Sequence, residues 1–312
     1  MIHSIHLSDE QLQEALAFPV LIRELHQHLI ESMTIPARQH LEIGSDTLLL
    51  MPAWNNRYIG VKMVTIFPEN NTSGLPSIQG TYTLMSRTDG RILATMDAKL
   101  LTNLRTAATS ALVAGKLARP DAQRLTMIGT GSLAPHLIRA HCSQLSIREV
   151  IIWGRSAEKA QNLVATLQDL PVNLQWSDDL ESAIRGADVI STATMSPAPL
   201  VQGSWVRRGS HIDAVGSYKP NLRELDDKLI RKCAIYVDTI EGATRESGDL
   251  AIPLHHGVIR KQQIRGTLFD LCAEKVAGRQ HPEEITLFKS VGHASEDLIA
   301  ASLAYEIITG NR

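Results

Sequence analysis

Two glycines lie where the chain could hold a phosphate group. Gly129 and Gly131, followed by Ala134, give the pattern G-x-G-x-x-A within "TMIGTGSLAPHLIRA". An apolar, strand-like run precedes the pattern and a helix-like stretch follows it, as a dinucleotide-binding turn requires. In such a turn Gly129 permits the tight bend, Gly131 lets backbone N–H groups approach a pyrophosphate, and Ala134 permits close packing of helix on strand. A purely structural glycine turn is the alternative.

The segment after the next predicted strand indicates which dinucleotide this turn would bind. "EVIIWGRS" ends without a carboxylate that could accept a hydrogen bond from a ribose 2′-hydroxyl, and it supplies Arg155 and Ser156 instead, with Lys159 one turn later. Cations and a hydroxyl suit a 2′-phosphate. The sequence therefore favours NADP(H), with NAD(H) as the alternative, unless Arg155 is a solvated loop residue.

Three cations lie in apolar segments of the front part of the chain. They are Arg38 in "IPARQ", Lys62 in "IGVKMV" and Arg105 in "LTNLRTAATSA". A buried cation needs an anionic partner, because an isolated charge is costly to remove from water. Arg105 could bind a substrate carboxylate through two parallel hydrogen bonds, or it could form an ordinary salt bridge with an acid of the chain.

Composition excludes several classes of function. The 312 residues are 44% hydrophobic and carry a net charge of −2, which gives no electrostatic case for nucleic acid. No run of about 18 apolar residues predicts a membrane span, and the N-terminus lacks the pattern of a signal peptide. Three widely spaced cysteines fit no disulfide framework, so we expect a cytoplasmic protein. His255–His256 lacks a third ligand at zinc-like spacing, so no metal site is predicted.

The first part of the chain has the pattern of an α+β domain. "SDEQ" at residues 8–11 predicts a helix that begins with a capping box. The runs "DTLLLMP", "RYIGVKMVTIF", "IQGTYTLMS" and "RILATMD" predict an antiparallel sheet, and "RTDGR" predicts a hairpin between the last two. "LLTNLRTAATSALVAGKLA" then predicts a long helix.

The pattern changes after residue 117. The short apolar runs "RLTMIGTG", "EVIIWGR", "ADVISTAT", "SHIDAVG" and "AIYVDT" predict strands, the earlier ones separated by helical stretches. This alternation predicts a parallel sheet of the Rossmann type, so the fold class is α/β with an additional α+β domain. We predict a first domain at residues 1–117 and a dinucleotide-binding domain at 118–292. The segment 293–312 is predicted to form an amphipathic helix that packs back on the first domain, and "RELDDK" is predicted to be a solvated face.

Longer motifs resemble those of a known family. They are "LMPAW", "GVKMVTIFPENN", "GLPSIQGTYTL", "LTNLRTAATSALVAGKLA", "GTGSLAPHLIRA", "ADVISTATMSPAPL", "HIDAVGSYKPNLRELDD" and "SVGHASEDLIAA". Together they resemble the ornithine cyclodeaminase/mu-crystallin family over nearly the whole chain. The resemblance implies a nicotinamide cofactor, a homodimer formed through the first domain, and chemistry at a C–N bond of an amino or imino acid.

The resemblance also implies roles for particular residues. Lys62 and Arg105 are expected to bind the substrate carboxylate and to be catalytic, Arg38 to join them, and Ser77 to present a hydroxyl beside the substrate. The "GSYKP" turn and Val291 are expected to border the nicotinamide. The complete set of expected cofactor-binding residues is Gly129, Thr130, Gly131, Ser132, Leu133, Ala134, Arg155, Ser156, Thr192, Ala193, Thr194, Gly216, Ser217 and Val291.

Two departures from the ornithine cyclodeaminases narrow the expected substrate. Those enzymes place a glutamate before the "LMP" strand end and an aspartate in the turn after "AVG", where this chain has Leu49 and Tyr218. Without these acids the amino groups of ornithine would lack partners, which is costly in a buried pocket. Asp213, within "HIDAV", is a weak candidate for a substitute. The "SYKPNLRELDD" form resembles instead the ketimine-reducing members of the family.

The sequence therefore predicts the reduction of a cyclic ketimine carboxylate, Δ1-pyrroline-2-carboxylate or Δ1-piperideine-2-carboxylate, to L-proline or L-pipecolate. The proton on the imine nitrogen could come from solvent, Ser77 or Lys62. Ornithine cyclodeamination, alanine dehydrogenation and a non-catalytic binding role are the alternatives. The prediction requires Arg105 and Lys62 to face the substrate, so ion pairs between them and the chain's own acids would argue against it.

Overall fold

The chain forms two compact units in a computed structural model that describes residues 4–311. The terminal unit comprises residues 4–109 and 293–311, and the central unit comprises residues 110–292. The first division falls inside a helix, between residues 109 and 110, whereas the sequence pattern changes near residue 117.

The terminal unit is built on a six-stranded sheet. Its order is β1-β6-β5-β4-β3-β2, with β1 parallel to β6 and the remaining pairs antiparallel. The four predicted strands are confirmed as β3 to β6, and the predicted hairpin is confirmed at Gly90, whose φ is 72°. The bounds are β1 (Ile5–Leu7), β2 (Gln39–Ile43), β3 (Asp46–Trp54), β4 (Tyr58–Ile66), β5 (Ile78–Ser86) and β6 (Ile92–Asp97).

The central unit contains a parallel eight-stranded sheet in the order β13-β12-β14-β11-β10-β7-β8-β9. Strands β7, β8 and β9 follow one another from the middle of the sheet to one edge. The next strand in the chain, β10, lies on the other side of β7. The carboxyl ends of β7 and β10 therefore flank a topological switch point, where open α/β sheets bind ligands. The bounds are β7 (Arg124–Ile128), β8 (Glu149–Trp153), β9 (Asn173–Trp176), β10 (Val189–Thr192), β11 (His211–Ala214), β12 (Cys233–Val237), β13 (Ile264–Thr267) and β14 (Ile285–Lys289).

Helices cover the sheets of both units. Within the central unit a continuous apolar core joins residues of the middle strands to those of the neighbouring helices. The helices are α1 (Asp9–Ala15), α2 (Phe18–His28), α3 (Ala98–Leu117), α4 (Ala134–Gln144), α5 (Ala157–Thr166), α6 (Leu180–Gly186), α7 (Asp227–Lys232), α8 (Ile240–Glu246), α9 (Gly248–His255), α10 (Leu268–Cys272) and α11 (Ala294–Thr309), with 3-10 turns at Pro68–Ser73 and Lys261–Gln263.

The first and last helices test two sequence predictions. The capping box of α1 is confirmed, because Ser8 Oγ accepts from Gln11 N and Gln11 Oε1 accepts from Ser8 N. Helix α11 packs on α1, α2, β3, β4 and β5 of its own unit. It is buried on nearly every side, so the prediction of an amphipathic helix is wrong. None of the described helices combines the length and apolar character that crossing a bilayer requires.

Candidate functional site

A cleft lies at the carboxyl ends of β7, β8 and β10 in the central unit. Its volume is about 550 Å³, and it opens at the switch point of the sheet. It contains most of the segments that the sequence selects for dinucleotide binding. The lining residues are Gly129, Thr130, Gly131, Trp153, Gly154, Arg155, Ser156, Lys159, Ala193, Thr194, Met195, Ser196 and Leu200.

The glycine turn has the backbone geometry that its residues predict. Gly129 has a φ of 121°, and a Cβ there would lie 2.7 Å from the carbonyl oxygen of Ala193, so both conformation and space require glycine. A Cβ on Gly131 would meet nothing within 4 Å, which leaves open space in front of the turn. Helix α4 begins at the fully buried Ala134 without a side-chain cap. The Ala134 N–H donates to the Gly131 carbonyl at 3.0 Å and Pro135 has no N–H, so an anion here would be stabilised by the helix dipole and by other backbone N–H groups of the turn.

The basic segment after β8 lies in the same cleft. Arg155, Ser156 and Lys159 all line it. Ser156 caps helix α5, because its Oγ accepts from the backbone N of Lys159 at 3.3 Å. The hydroxyl proton of Ser156 is still able to donate, so the segment can offer a hydroxyl, a guanidinium and an ammonium to an anion.

The loops after β10 and β11 are in backbone contact. Ala193 and Thr194 line the cleft, whereas Thr192, Gly216 and Ser217 are buried. A Cβ on Gly216 would lie 2.2 Å from both the backbone N and the backbone O of Thr194. Glycine at this position therefore allows the two loops to touch.

Two other candidate positions of the central unit have structural partners. The backbone N of Val291 donates to Asp238 Oδ2 at 2.6 Å. Asp213 is fully buried; it accepts a hydrogen bond from Ser191 Oγ at 2.7 Å and pairs with His141 Nε2 at 3.1 Å. Asp213 is therefore committed to the interior of the unit and does not substitute for the missing acid of the ornithine cyclodeaminases.

The terminal unit gathers the predicted cations with two acids of helix α11. Arg105 donates from Nη1 to Glu296 Oε2 at 2.6 Å and from Nε to Asp297 Oδ1 at 2.8 Å. Lys62 Nζ lies 2.8 Å from Asp297 Oδ2 and donates to Thr102 Oγ1 at 3.3 Å. The two cations are each 3% exposed and the two acids are fully buried. These are the ion pairs that would argue against substrate binding, and the sequence did not identify either acid as their partner.

The charges in this cluster change one another's pKa. The pKa of Lys62 is lowered to about 8, chiefly by burial and also by the positive charges of Arg105 and Arg38, against a partial offset from Asp297. Arg38 therefore lies within electrostatic range of Lys62. Burial alone would raise the pKa of Asp297, but Arg105 and Lys62 outweigh burial and hold that pKa below its usual value.

The remaining substrate-site predictions fall at three positions. Ser77, just before β5, has a buried Oγ with no hydrogen-bond partner among the described residues. Leu49 lies half-buried in β3. Tyr218, in the loop after β11, is half-buried, and its hydroxyl lies 3.4 Å from Met195 Sδ at the cleft. Neither Leu49 nor Tyr218 can supply the carboxylate that an ornithine amino group would need.

Comparison with known proteins agrees with this architecture. The family model described as ornithine cyclodeaminase/mu-crystallin matches residues 21–312. A Δ1-pyrroline-2-carboxylate reductase of Colwellia psychrerythraea is 37% identical, over 96% of this chain and 98% of the relative.

Two solved structures share the fold over almost the full length. One is the Δ1-pyrroline-2-carboxylate reductase of Thermococcus litoralis in complex with NADH and L-proline, with a TM-score of 0.93 and 32% identity over 98% of both chains. The other is an archaeal alanine dehydrogenase dimer with bound NAD, with a TM-score of 0.92 and 30% identity over 99% of this chain and 97% of the other. The chain therefore belongs to the ornithine cyclodeaminase/mu-crystallin family.

Proposed function

We propose that the protein reduces a cyclic ketimine carboxylate, Δ1-pyrroline-2-carboxylate or Δ1-piperideine-2-carboxylate, to L-proline or L-pipecolate with NAD(P)H. The observation that carries the proposal is that Lys62 and Arg105 meet in one buried charge cluster, within electrostatic range of Arg38, in a chain that also has an open glycine-turn cleft. The names of the Colwellia and Thermococcus relatives support this reaction, and Leu49 and Tyr218 argue against a diamino substrate.

The residues present fit a nicotinamide dinucleotide, because the cleft at the switch point combines a glycine turn with an uncapped helix N-terminus. When bound, the nicotinamide supplies the hydride that the carbon of a protonated C=N group accepts. The protein then has to bind the substrate carboxylate and orient that carbon. Arg105 and Lys62 are the proposed carboxylate anchors, joined by Arg38.

Because Arg105 and Lys62 are paired with acids of α11, they have to bind the substrate carboxylate while they remain in these ion pairs. The bonds to Glu296 and Asp297 use two of the five N–H groups of Arg105, so the guanidinium has donors for a third anion. In this arrangement the two acids fix the orientation of the guanidinium, and the substrate carboxylate adds to the pairs instead of replacing them. A donor held in place before binding loses less entropy when the substrate arrives.

The proton for the imine nitrogen has two candidate donors in the terminal unit. Lys62 has a pKa of about 8, so it can both hold and release a proton near neutral pH. Ser77 Oγ has no described partner and could pass a proton from solvent. No carboxylate base is required, because the reaction removes no proton from carbon.

The basic segment after β8 supports a preference for NADP(H). Arg155 and Lys159 line the cleft beside Ser156 and could bind a 2′-phosphate. The two related structures contain NADH or NAD, so NAD(H) is the alternative for this chain.

A steady-state assay with a substrate panel tests the proposed reaction. Purified protein is given each cyclic imine, ornithine, or pyruvate with ammonia, in turn with NADPH and NADH. We expect fast oxidation of NADPH with an imine and no dependence on added ammonia. Faster release of ammonia from ornithine would favour a cyclodeaminase, and an ammonia requirement with pyruvate would favour an alanine dehydrogenase. Absence of turnover with every substrate would favour a binding protein.

The terminal unit also supports the proposed homodimer. Leu41, Ile43 and Met63 are 45%, 52% and 40% exposed. The three side chains lie on one face of the sheet. The register of β2 against β3, and of β3 against β4, places Leu41 on the side of β4 that carries Met63, and Lys62 lies on the opposite side. An exposed apolar sheet face of this kind is suited to a second copy of the chain. Light scattering is expected to give twice the monomer mass, and Met63→Lys is expected to lower it.

A further inference from the structure

Glu224 is a buried acid that the sequence pattern misassigned. It begins "ELDDK", which was predicted to be part of a solvated face, but Glu224 and Leu225 are both fully buried in the central unit. The prediction fails because the preceding loop carries this segment across the carboxyl ends of the sheet, where Leu200 N and Val201 N donate to the carbonyl oxygen of Glu224.

The carboxylate of Glu224 accepts hydrogen bonds from both loops beside the cleft. Its Oε1 accepts from the backbone N and the Oγ1 of Thr194, both at 2.7 Å. Its Oε2 accepts from Thr192 Oγ1 at 2.9 Å, Gly216 N at 2.9 Å and Ser217 N at 3.1 Å. All of these groups donate to Glu224, so both terminal atoms of the side chain at this position have to be hydrogen-bond acceptors.

The backbone that carries Glu224 is itself held in place. Asp249 Oδ1 accepts from Glu224 N at 2.7 Å and from Leu225 N at 2.9 Å. Lys289 Nζ lies 3.6 Å from Asp249 Oδ2 and donates to the Ala214 carbonyl at 3.0 Å. Burial and the charge of Asp249 raise the pKa of Glu224, against the opposing charge of Lys289. The buried lysine thus offsets part of the negative charge.

We propose that Glu224 is a positioning residue for the dinucleotide cleft, because its carboxylate fixes the loops after β10 and β11 in the backbone arrangement that cofactor binding needs. Thr194 lines the cleft directly, and Gly216 touches its backbone. Glu224 itself is absent from the cleft lining as the structure describes it. The inference rests on the proposed cofactor binding and adds a residue to it.

Glu224→Gln is the first test. The amide nitrogen must face donors in either orientation, so at least one backbone N–H loses its acceptor. We expect the dissociation constants of NADPH and NADH, measured by fluorescence titration, to rise about tenfold or more. At saturating cofactor, the KM for the imine is expected to change by less than about threefold, because the variant leaves the terminal unit intact.

Thr192→Val provides a milder test in case Glu224→Gln does not fold. Thr192 is among the residues that the sequence predicts to bind the cofactor, but it is fully buried and does not line the cleft, so the variant removes one hydrogen bond to Glu224 Oε2 and leaves the lining unchanged. We expect a rise of about threefold in the dinucleotide dissociation constant. Thr126→Val is the matched control. Thr126 is also buried in the same sheet, but its Oγ1 donates to the Ala183 carbonyl at 2.8 Å. The control is expected to lower the melting temperature similarly and leave cofactor binding unchanged.

The outcomes separate this inference from the function on which it rests. If the wild type binds neither dinucleotide, the proposed function fails and the role of Glu224 fails with it. If the wild type binds but Thr192→Val and any folded Glu224→Gln bind equally well, only the role of Glu224 is overturned. An equal loss of binding in Thr192→Val and Thr126→Val would assign the effect to general destabilisation and would also overturn it.

Discussion

The candidate ligand sites of the two units differ in how open they are and in how their charges are paired. The central unit has an open cleft of about 550 Å³ whose turn is bordered by empty space at Gly131. The terminal unit has Lys62 and Arg105 almost fully buried and already paired with Glu296 and Asp297. On the proposed assignments, a dinucleotide phosphate enters open space at the turn, whereas a substrate carboxylate joins a cluster in which two cations already face two acids. We therefore expect binding at the glycine turn to depend mainly on shape, and substrate binding mainly on electrostatics.

The largest effect is expected when the charge cluster loses the planar guanidinium of Arg105. Arg105→Lys keeps the charge but cannot hold Glu296, Asp297 and a substrate carboxylate together. We expect kcat/KM for the imine to fall about 100-fold, the equivalent of one or two charge-assisted hydrogen bonds.

The control for Arg105 is Arg57→Lys in the same unit. Arg57 also pairs with an acid, Glu306, at 2.8 Å, but its side chain is 56% exposed. We expect kcat/KM to stay within about twofold, because exposed ion pairs contribute little. Wild-type kcat/KM in a folded Arg105→Lys variant would contradict the assigned role.

The glycine turn offers a matched pair of substitutions. Gly131→Ala places a methyl group in open space, so we expect an unchanged melting temperature and a rise of about tenfold in the dinucleotide dissociation constant, because the methyl blocks close approach of the phosphates. Gly129→Ala should instead destabilise the protein by about 1–3 kcal/mol, because alanine is strained at a φ of 121°. Unimpaired cofactor binding by Gly131→Ala would show that the dinucleotide does not use this turn.

The choice of dinucleotide should depend on the basic segment. Arg155→Ser is expected to lower kcat/KM with NADPH by about tenfold and to leave that with NADH nearly unchanged, because only the 2′-phosphate loses a partner. Arg148→Ser, an exposed change outside the cleft, is the control. Equal losses with both dinucleotides would contradict the predicted NADP(H) preference.

The effect that is smallest near neutral pH should be a change in pH dependence. Lys62 has a pKa of about 8, so it carries its charge below that pH and loses it as the pH rises through 8. Arginine stays protonated throughout this range. We therefore expect the ratio of kcat/KM for the wild type to that for Lys62→Arg to fall above pH 8, by up to about tenfold per pH unit. The substrate's own titration cancels in this ratio, and a flat ratio would remove Lys62 from the anchoring group.

Local patterns predicted much of the fold. The capping box at Ser8, the hairpin at Gly90, and the strand before and the helix after Gly129 were predicted because their signals lie within a few residues of one another. The strand β14 was missed, although it pairs with β11 and β12 in the middle of the central sheet. Its neighbours in the sheet are far away in the chain, so no local signal marks the pairing.

The sequence by itself determined the residue types that make the chemistry available: glycines for a phosphate turn, a basic segment beside them, and three cations in apolar surroundings. Only the tertiary structure decided which charges meet. Arg105 and Asp297 are 192 residues apart, and Glu224 gathers donors from two loops, so neither arrangement has a local pattern. A buried charge is stable only beside a partner that offsets the cost of removing it from water. That partner has to be near in space and can be far away in the sequence, so only the folded structure identifies it.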